Sequence, residues 1–191
     1  AGFESLKRSA GKVLAVNATL QDASAMPYEM DRKPGDLSLA DDTRKGIELL
    51  DNKKGFFMMV EGGKIDWAGH ANDAMANISD VIALDEAVAE AIAFQSRHPN
   101  DTLILVTGDH ETGGMTIGFA GTKYSTFYNK IAAQRVSFQA FTDGFMKPYK
   151  AESKGAGKFA DVVPMIEQSF GLKMADLSAE DLKVAGVRAW L

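Results

Sequence analysis

The chain has 191 residues, 46% hydrophobic and 25% charged, with a net charge of -5 from 26 acidic against 21 basic residues. That is enough chain for one domain with a real core. The acidic balance and the lack of a basic stretch exclude a nucleic-acid footprint and match anionic membranes poorly. There are no cysteines, which excludes disulfides, thiolate metal sites and cysteine nucleophiles.

The opening "AGFESLKRSAGKV" lacks the apolar centre of a secretory signal and has no leading Met. It therefore reads as the interior of a gene product. No apolar run reaches the roughly 18 residues of a membrane span.

In chain order, "KVLAVN" (12–17) reads as a buried strand between Gly11 and Asn17. Residues 18–36, with Pro27, Pro34 and Gly35, read as a loop. The spacing of Leu39, Thr43, Ile47 and Leu50 after Ser38 predicts a capped helix over 38–52. "GFFMMVEG" (55–62) reads as a second buried strand. From Asn72 to about Ser96 the pattern predicts a long helix ended by Pro99. Met75, Ile78, Ile82, Ala89 and Ile92 would share its apolar face, which leaves Asp85 either a buried acid or a sign of a wrong face. "DTLILVTGD" (101–109) reads as a third strand.

Apolar runs without alternation indicate strands covered on both faces, so the expected fold class is α/β. The sheet would be mainly parallel, with helices on both faces. Residues 1–121 would form this core and 122–191 a helical C-terminal annex. In the annex one helix is expected over 124–141. A kinked or restarting helix is expected around Pro164, and a terminal helix after Ser178.

Two clusters carry the chemistry. Glu61, Asp66 and His70 follow the second strand, and Asp109 and His110 follow the third. In parallel α/β folds ligands gather at the carboxyl ends of strands. On a helical turn, four-residue spacing places Asp66 and His70 on one face; in a loop it still allows them to converge. Carboxylate and imidazole form the zinc ligand set where thiolates are absent, and carboxylate alone suits magnesium. An isolated Asp-x-x-x-His is common by chance; what lifts these clusters is their joint position after consecutive strands. Glu111 and Thr112 either support the metal ligands from behind or only begin a turn. Trp67 either caps the site or packs. His98 reads as a solvated helix-end residue.

"GFFMMVEGGKIDWAGHANDA" and "TLILVTGDHETGG" together resemble the alkaline phosphatase family, as do "YEMDRKPGDLSLADDTRKGIELL" and "LDEAVAEAIAF". The likeness covers roughly residues 12–121, and the tail matches loosely. It implies an alkaline phosphatase-like three-layer sandwich, here partial, and hydrolysis of phosphate monoesters through a phosphoserine intermediate with two zinc ions and one magnesium. By resemblance Asp66 and His70 bind the first zinc, Asp109 and His110 the second, and Glu61 the magnesium. A dimeric parent and a periplasmic or secreted location are implied in the same way.

The family's nucleophile serine, its phosphate-clamping arginine and its third zinc histidine have no counterpart in this sequence. The resemblance thus implies the middle piece of a longer enzyme. Such a piece, with exposed sheet edges and an unmatched apolar face, is expected to hold metal weakly or not at all, to be inactive alone and to self-associate. Other hydrolases of the superfamily (phosphodiesterases, sulfatases, cofactor-independent phosphoglycerate mutases) share the Asp-x-x-x-His and Asp-His spacings. The glutamate of "VEGG" favours the phosphatase. A non-catalytic metal-binding domain is the reading from a different class.

Overall fold

A computed structural model describes residues 2–8, 11–116 and 125–176. The chain divides into two compact units, Ala1–Asn72 with Ala76–Gly114, and Asp73–Met75 with Met115–Leu191.

The first unit is built on three helices: α1 (Leu39–Leu50), α2 (Gly63–His70) and α3 (Ala74–Arg97), the last from Ala76 onward. α1 starts where the sequence predicts. The Ser38 hydroxyl accepts from the Asp41 amide while the Asp41 carboxylate accepts from the Ser38 amide, a complete capping box. α3 also lies where its periodicity placed it, but with a different face inward. Ala76, Asp80, Ala83 and Ala87 are buried, while Ile82 and Ile92 are about half exposed. Asp85 is exposed and Asp80 is the buried acid. Small residues let the helix approach its neighbours closely, so the alanine stripe goes inward and the bulkier residues stay outside.

The expected sheet is not there. Among the described residues no strand is formed, and the one isolated bridge joins Gln21 to Ala25. The architecture of the described residues is helical, which overturns the α/β sandwich read from the sequence. The three apolar runs lie in chain without helix or strand and without ladder partners. In the second run half-buried and exposed residues alternate, with Phe57 88% and Met59 76% exposed. Leu14, Leu103 and Leu105 are exposed to the same degree. The physical reason lies in the hydrogen bonds. A helix satisfies its own backbone, whereas a strand exists only through a neighbouring backbone. An apolar run records the demand for burial and does not supply that neighbour.

The second unit holds α4 (Tyr128–Ile131), α5 (Phe138–Phe141), a π turn (Thr142–Met146), α6 (Lys147–Ser153) and α7 (Phe159–Phe170). The single helix expected over 124–141 is broken between Ile131 and Phe138. There the Arg135 amide leaves helical pairing to donate to the Ser169 carbonyl at 2.8 Å. Ser137 restarts the helix by accepting from the Ala140 amide. Asp73 anchors the same segment, accepting from the Phe138 amide and the Gln134 side chain, each at 2.7 Å. Phe141 packs edge-on against Phe170, 4.9 Å between centroids. Pro164 sits inside α7, which runs unbroken past it to the left-handed cap Gly171. The terminal helix expected after Ser178 lies outside the described residues. Among those described, no helix is long and apolar enough to cross a membrane.

Candidate metal centre

α2 carries the first cluster on eight residues. Its N-cap, Gly62, supplies no side-chain bond, and Asp66 lies in the first turn, where a negative charge suits the helix dipole. His70 closes the last turn. Asn77 of α3 fixes the helix laterally through a 2.8 Å bond from its side-chain amide to the Ile65 carbonyl.

The Asp-x-x-x-His spacing does what a helix requires. His70 Nε2 lies 3.5 Å from Asp66 Oδ2. In the second cluster His110 Nε2 lies 3.5 Å from Asp109 Oδ2. The two clusters meet at Asp66, whose Oδ1 lies 4.0 Å from His110 Nδ1. Thr112 forms the bond between them, donating to Asp66 Oδ1 at 2.6 Å and lying 3.1 Å from His110 Nδ1.

The proton on His110 can be assigned from its partners. Nδ1 also faces the Glu111 carbonyl at 3.2 Å, and a carbonyl only accepts. Nδ1 therefore carries hydrogen, and in the neutral ring Nε2 offers its lone pair toward Asp109. The Glu111 carbonyl, and after it the charge of Asp109, holds the His110 pKa above the usual imidazole value.

The backbones approach as closely as the side chains. A Cβ on Gly69 would stand 2.8 Å from the Thr112 carbonyl oxygen. Gly113, at φ +80°, would drive a Cβ into the Gly69 carbonyl. Glycine at both positions lets α2 and the Asp109–Gly114 segment touch.

Glu61 goes elsewhere. It lines a cleft of about 290 Å³ together with Lys64, Trp67, Asp80, Glu29 and Arg32. Lys64 is 8% exposed, and its Nζ lies 4.4 Å from the Tyr28 ring centre and 4.1 Å from that of Trp67. Burial pushes its pKa down, against Asp22, Asp80 and Asp31, which favour the charge. Asp80 accepts from the Glu29 amide, and burial raises its pKa to about 7.

Donors around a tetrahedral zinc at about 2.0 Å stand roughly 3.3 Å apart. The Asp66–His70 and Asp109–His110 pairs come close to that spacing, so each fits half of a metal site. Among the described residues no three His, Cys, Asp or Glu side chains converge on one point. Each half-site thus offers two protein donors where a zinc centre uses at least three.

Of the five residues singled out from the sequence, four lie together and Glu61 stands in the adjoining cleft. Sequence reasoning missed Lys64, Tyr28 and Asp80. The three-residue spacing of Lys64 and Trp67 was the available signal for the first. Tyr28 lies in what reads as loop and gave none.

The alkaline phosphatase family model matches residues 8–186. The chain belongs to the alkaline phosphatase family. It is 32% identical to alkaline phosphatase 3 of Bacillus subtilis over 182 residues, 90% of this chain and 38% of that protein. It is 30% identical to the repressible alkaline phosphatase of Saccharomyces cerevisiae over 170 residues, 81% of this chain and 29% of that one. Alkaline phosphatase 4 of Bacillus subtilis is 46% identical over 95 residues, 49% of this chain and 20% of that one. Among solved structures, a cold-active alkaline phosphatase from the psychrophile Shewanella sp. superposes with a TM-score of 0.64 at 28% identity. That match covers 83% of this chain and 36% of the other. The chain therefore spans between a fifth and two fifths of the length of these curated relatives.

Proposed function

We propose that this phosphatase-family chain serves the hydrolysis of phosphate monoesters by holding the metal ions of the reaction. Asp66 and His70 would hold one zinc, Asp109 and His110 a second, and Glu61 a magnesium. When bound, such ions polarise phosphoryl oxygens and offset the charge that develops on them. The chain's own residues set the geometry. Thr112 ties Asp66 to His110, so the two half-sites share one anchored carboxylate. The His110 Nδ1 hydrogen is committed to its own segment, which leaves Nε2 beside Asp109. The glycine contact at Gly69 and Gly113 holds the two segments at fixed distance.

The observation that carries this reading is the meeting of both clusters at Asp66, 3.5 Å from His70 and 4.0 Å from His110. Calorimetric titration with zinc, followed by inorganic phosphate, tests it. Zinc binds, phosphate binds only to the loaded chain, and Asp66→Asn weakens both. Zinc binding indifferent to Asp66→Asn overturns it.

A further inference from the structure

Lys64 is more than nine-tenths buried, yet its Nζ has no hydrogen-bond partner among the described residues. Burying an ammonium without one costs several kcal/mol. Two rings, Tyr28 and Trp67, compensate together with the charges of Asp22, Asp80 and Asp31. A desolvated cation–π contact contributes about 2 kcal/mol. The cation therefore holds both rings in place.

Its position on α2 gives that hold a consequence. At about 100° per residue, Trp67 lies about 60° from Lys64 and about 60° from His70 around the helix. Asp66 and His70 lie about 40° apart on the next face. A helix this short, with no side-chain N-cap, has little of its own to fix its roll.

On the reading that Asp66 and His70 hold a metal ion, we propose that Lys64 is a positioning residue for the metal centre. Packed against Tyr28 and Trp67, it sets the roll of α2 together with the Asn77–Ile65 bond, and so the aim of both ligands. Lys64 itself is not one of the ligands. Its role is to hold Trp67, the residue between its own face and that of His70.

The test uses the full chain with Trp190→Phe, which leaves Trp67 as the single indole of the two. Lys64→Met keeps the stem and removes the charge. Lys64→Arg keeps a cation that stacks on aromatic faces. Three quantities are measured: Trp67 emission without metal, thermal unfolding without metal, and zinc affinity by calorimetry. In Lys64→Met the Trp67 emission shifts to the red and zinc binds about tenfold more weakly. Its unfolding midpoint holds or rises, because a buried cation whose desolvation is only partly offset has gone. Lys64→Arg restores both emission and affinity.

Unchanged Trp67 emission in Lys64→Met overturns the inference, whatever zinc does. So does an affinity within twofold of the parent, or a loss matched by a fall in the unfolding midpoint. Should Lys64→Met fail to fold, Lys64→Gln is judged by the same criteria, and failure of both also overturns it. A parent chain that binds no zinc refutes the metal reading separately, while Trp67 emission still decides whether Lys64 orients the helix.

Discussion

Thr112 donates a 2.6 Å hydrogen bond to Asp66, joining residues 46 positions apart in the chain. Its hydroxyl also meets His110 Nδ1, so one oxygen connects a member of each half-site. A carboxylate held in this way has one lone-pair direction occupied and a fixed orientation.

Thr112→Val removes the hydroxyl and keeps the shape. Partners behind metal ligands typically contribute tenfold or more to affinity. Zinc affinity should fall about tenfold, and stability by about 1 kcal/mol. Thr112→Ser should behave as the parent. Calorimetry and denaturant melts check both, and an unaltered zinc isotherm in Thr112→Val would show that the bond does not orient Asp66.

Gly113→Ala should be among the most disruptive small substitutions in the first unit. The new methyl meets the Gly69 carbonyl, and the backbone already sits at φ +80°. Strain of about 1–3 kcal/mol is expected, with weakened zinc binding because α2 is pushed away. Gly114→Ala provides the control. It also has positive φ, +61°, but an added Cβ would meet none of the described residues within 4 Å, so it carries the backbone strain without the Gly69 clash. Equal unfolding midpoints for the two variants would contradict the close approach.

Asp80 makes stability pH-dependent. Its folded pKa is about 7 against an ordinary 3.8, chiefly through burial. The folded state therefore binds more protons than the unfolded state between pH 4 and pH 7. The stability linked to a protonated Asp80 is full below about pH 4 and is lost as pH rises through 7. About three pKa units correspond to at most about 4 kcal/mol. Asp80→Asn keeps an acceptor for the Glu29 amide and should flatten the unfolding midpoint between pH 5 and pH 8. A slope equal to the parent's would show that Asp80 titrates normally.

Phe57 and Leu103 are each more than four-fifths exposed on segments that have no strand partner among the described residues. Exposed apolar chain of this kind promotes association. Light scattering should show an apparent mass that climbs with concentration, and Phe57→Ser with Leu103→Ser should suppress the climb. A parent chain monomeric at all concentrations would contradict this.

Helices α1 and α3 were legible because their signals are local. Ser38 and Asp41 cap α1 three residues apart, and the period of α3 runs through its own sequence. The alanine face of α3 was not legible, because hydrophobicity alone ranks Ile82 above Ala83. The strands were over-read: "FFMMV" and "LILV" specify apolar chain, but pairing depends on another backbone. In the site, Asp66 and His70 were legible from helical spacing. The meeting of Asp66 with His110 was legible only as a bet on adjacency, since a contact across 44 positions leaves no periodic trace. Lys64 escaped notice because charged residues are expected at the surface. Its burial follows from two rings, one of them 36 positions upstream.

X-ray absorption at the zinc edge, on the zinc-loaded chain, most directly tests whether both clusters share in holding metal. A shell of nitrogen and oxygen near 2.0 Å is expected, with imidazole scattering that falls in both His70→Ala and His110→Ala. A spectrum unchanged by either substitution, or one from zinc bound by water alone, would contradict it.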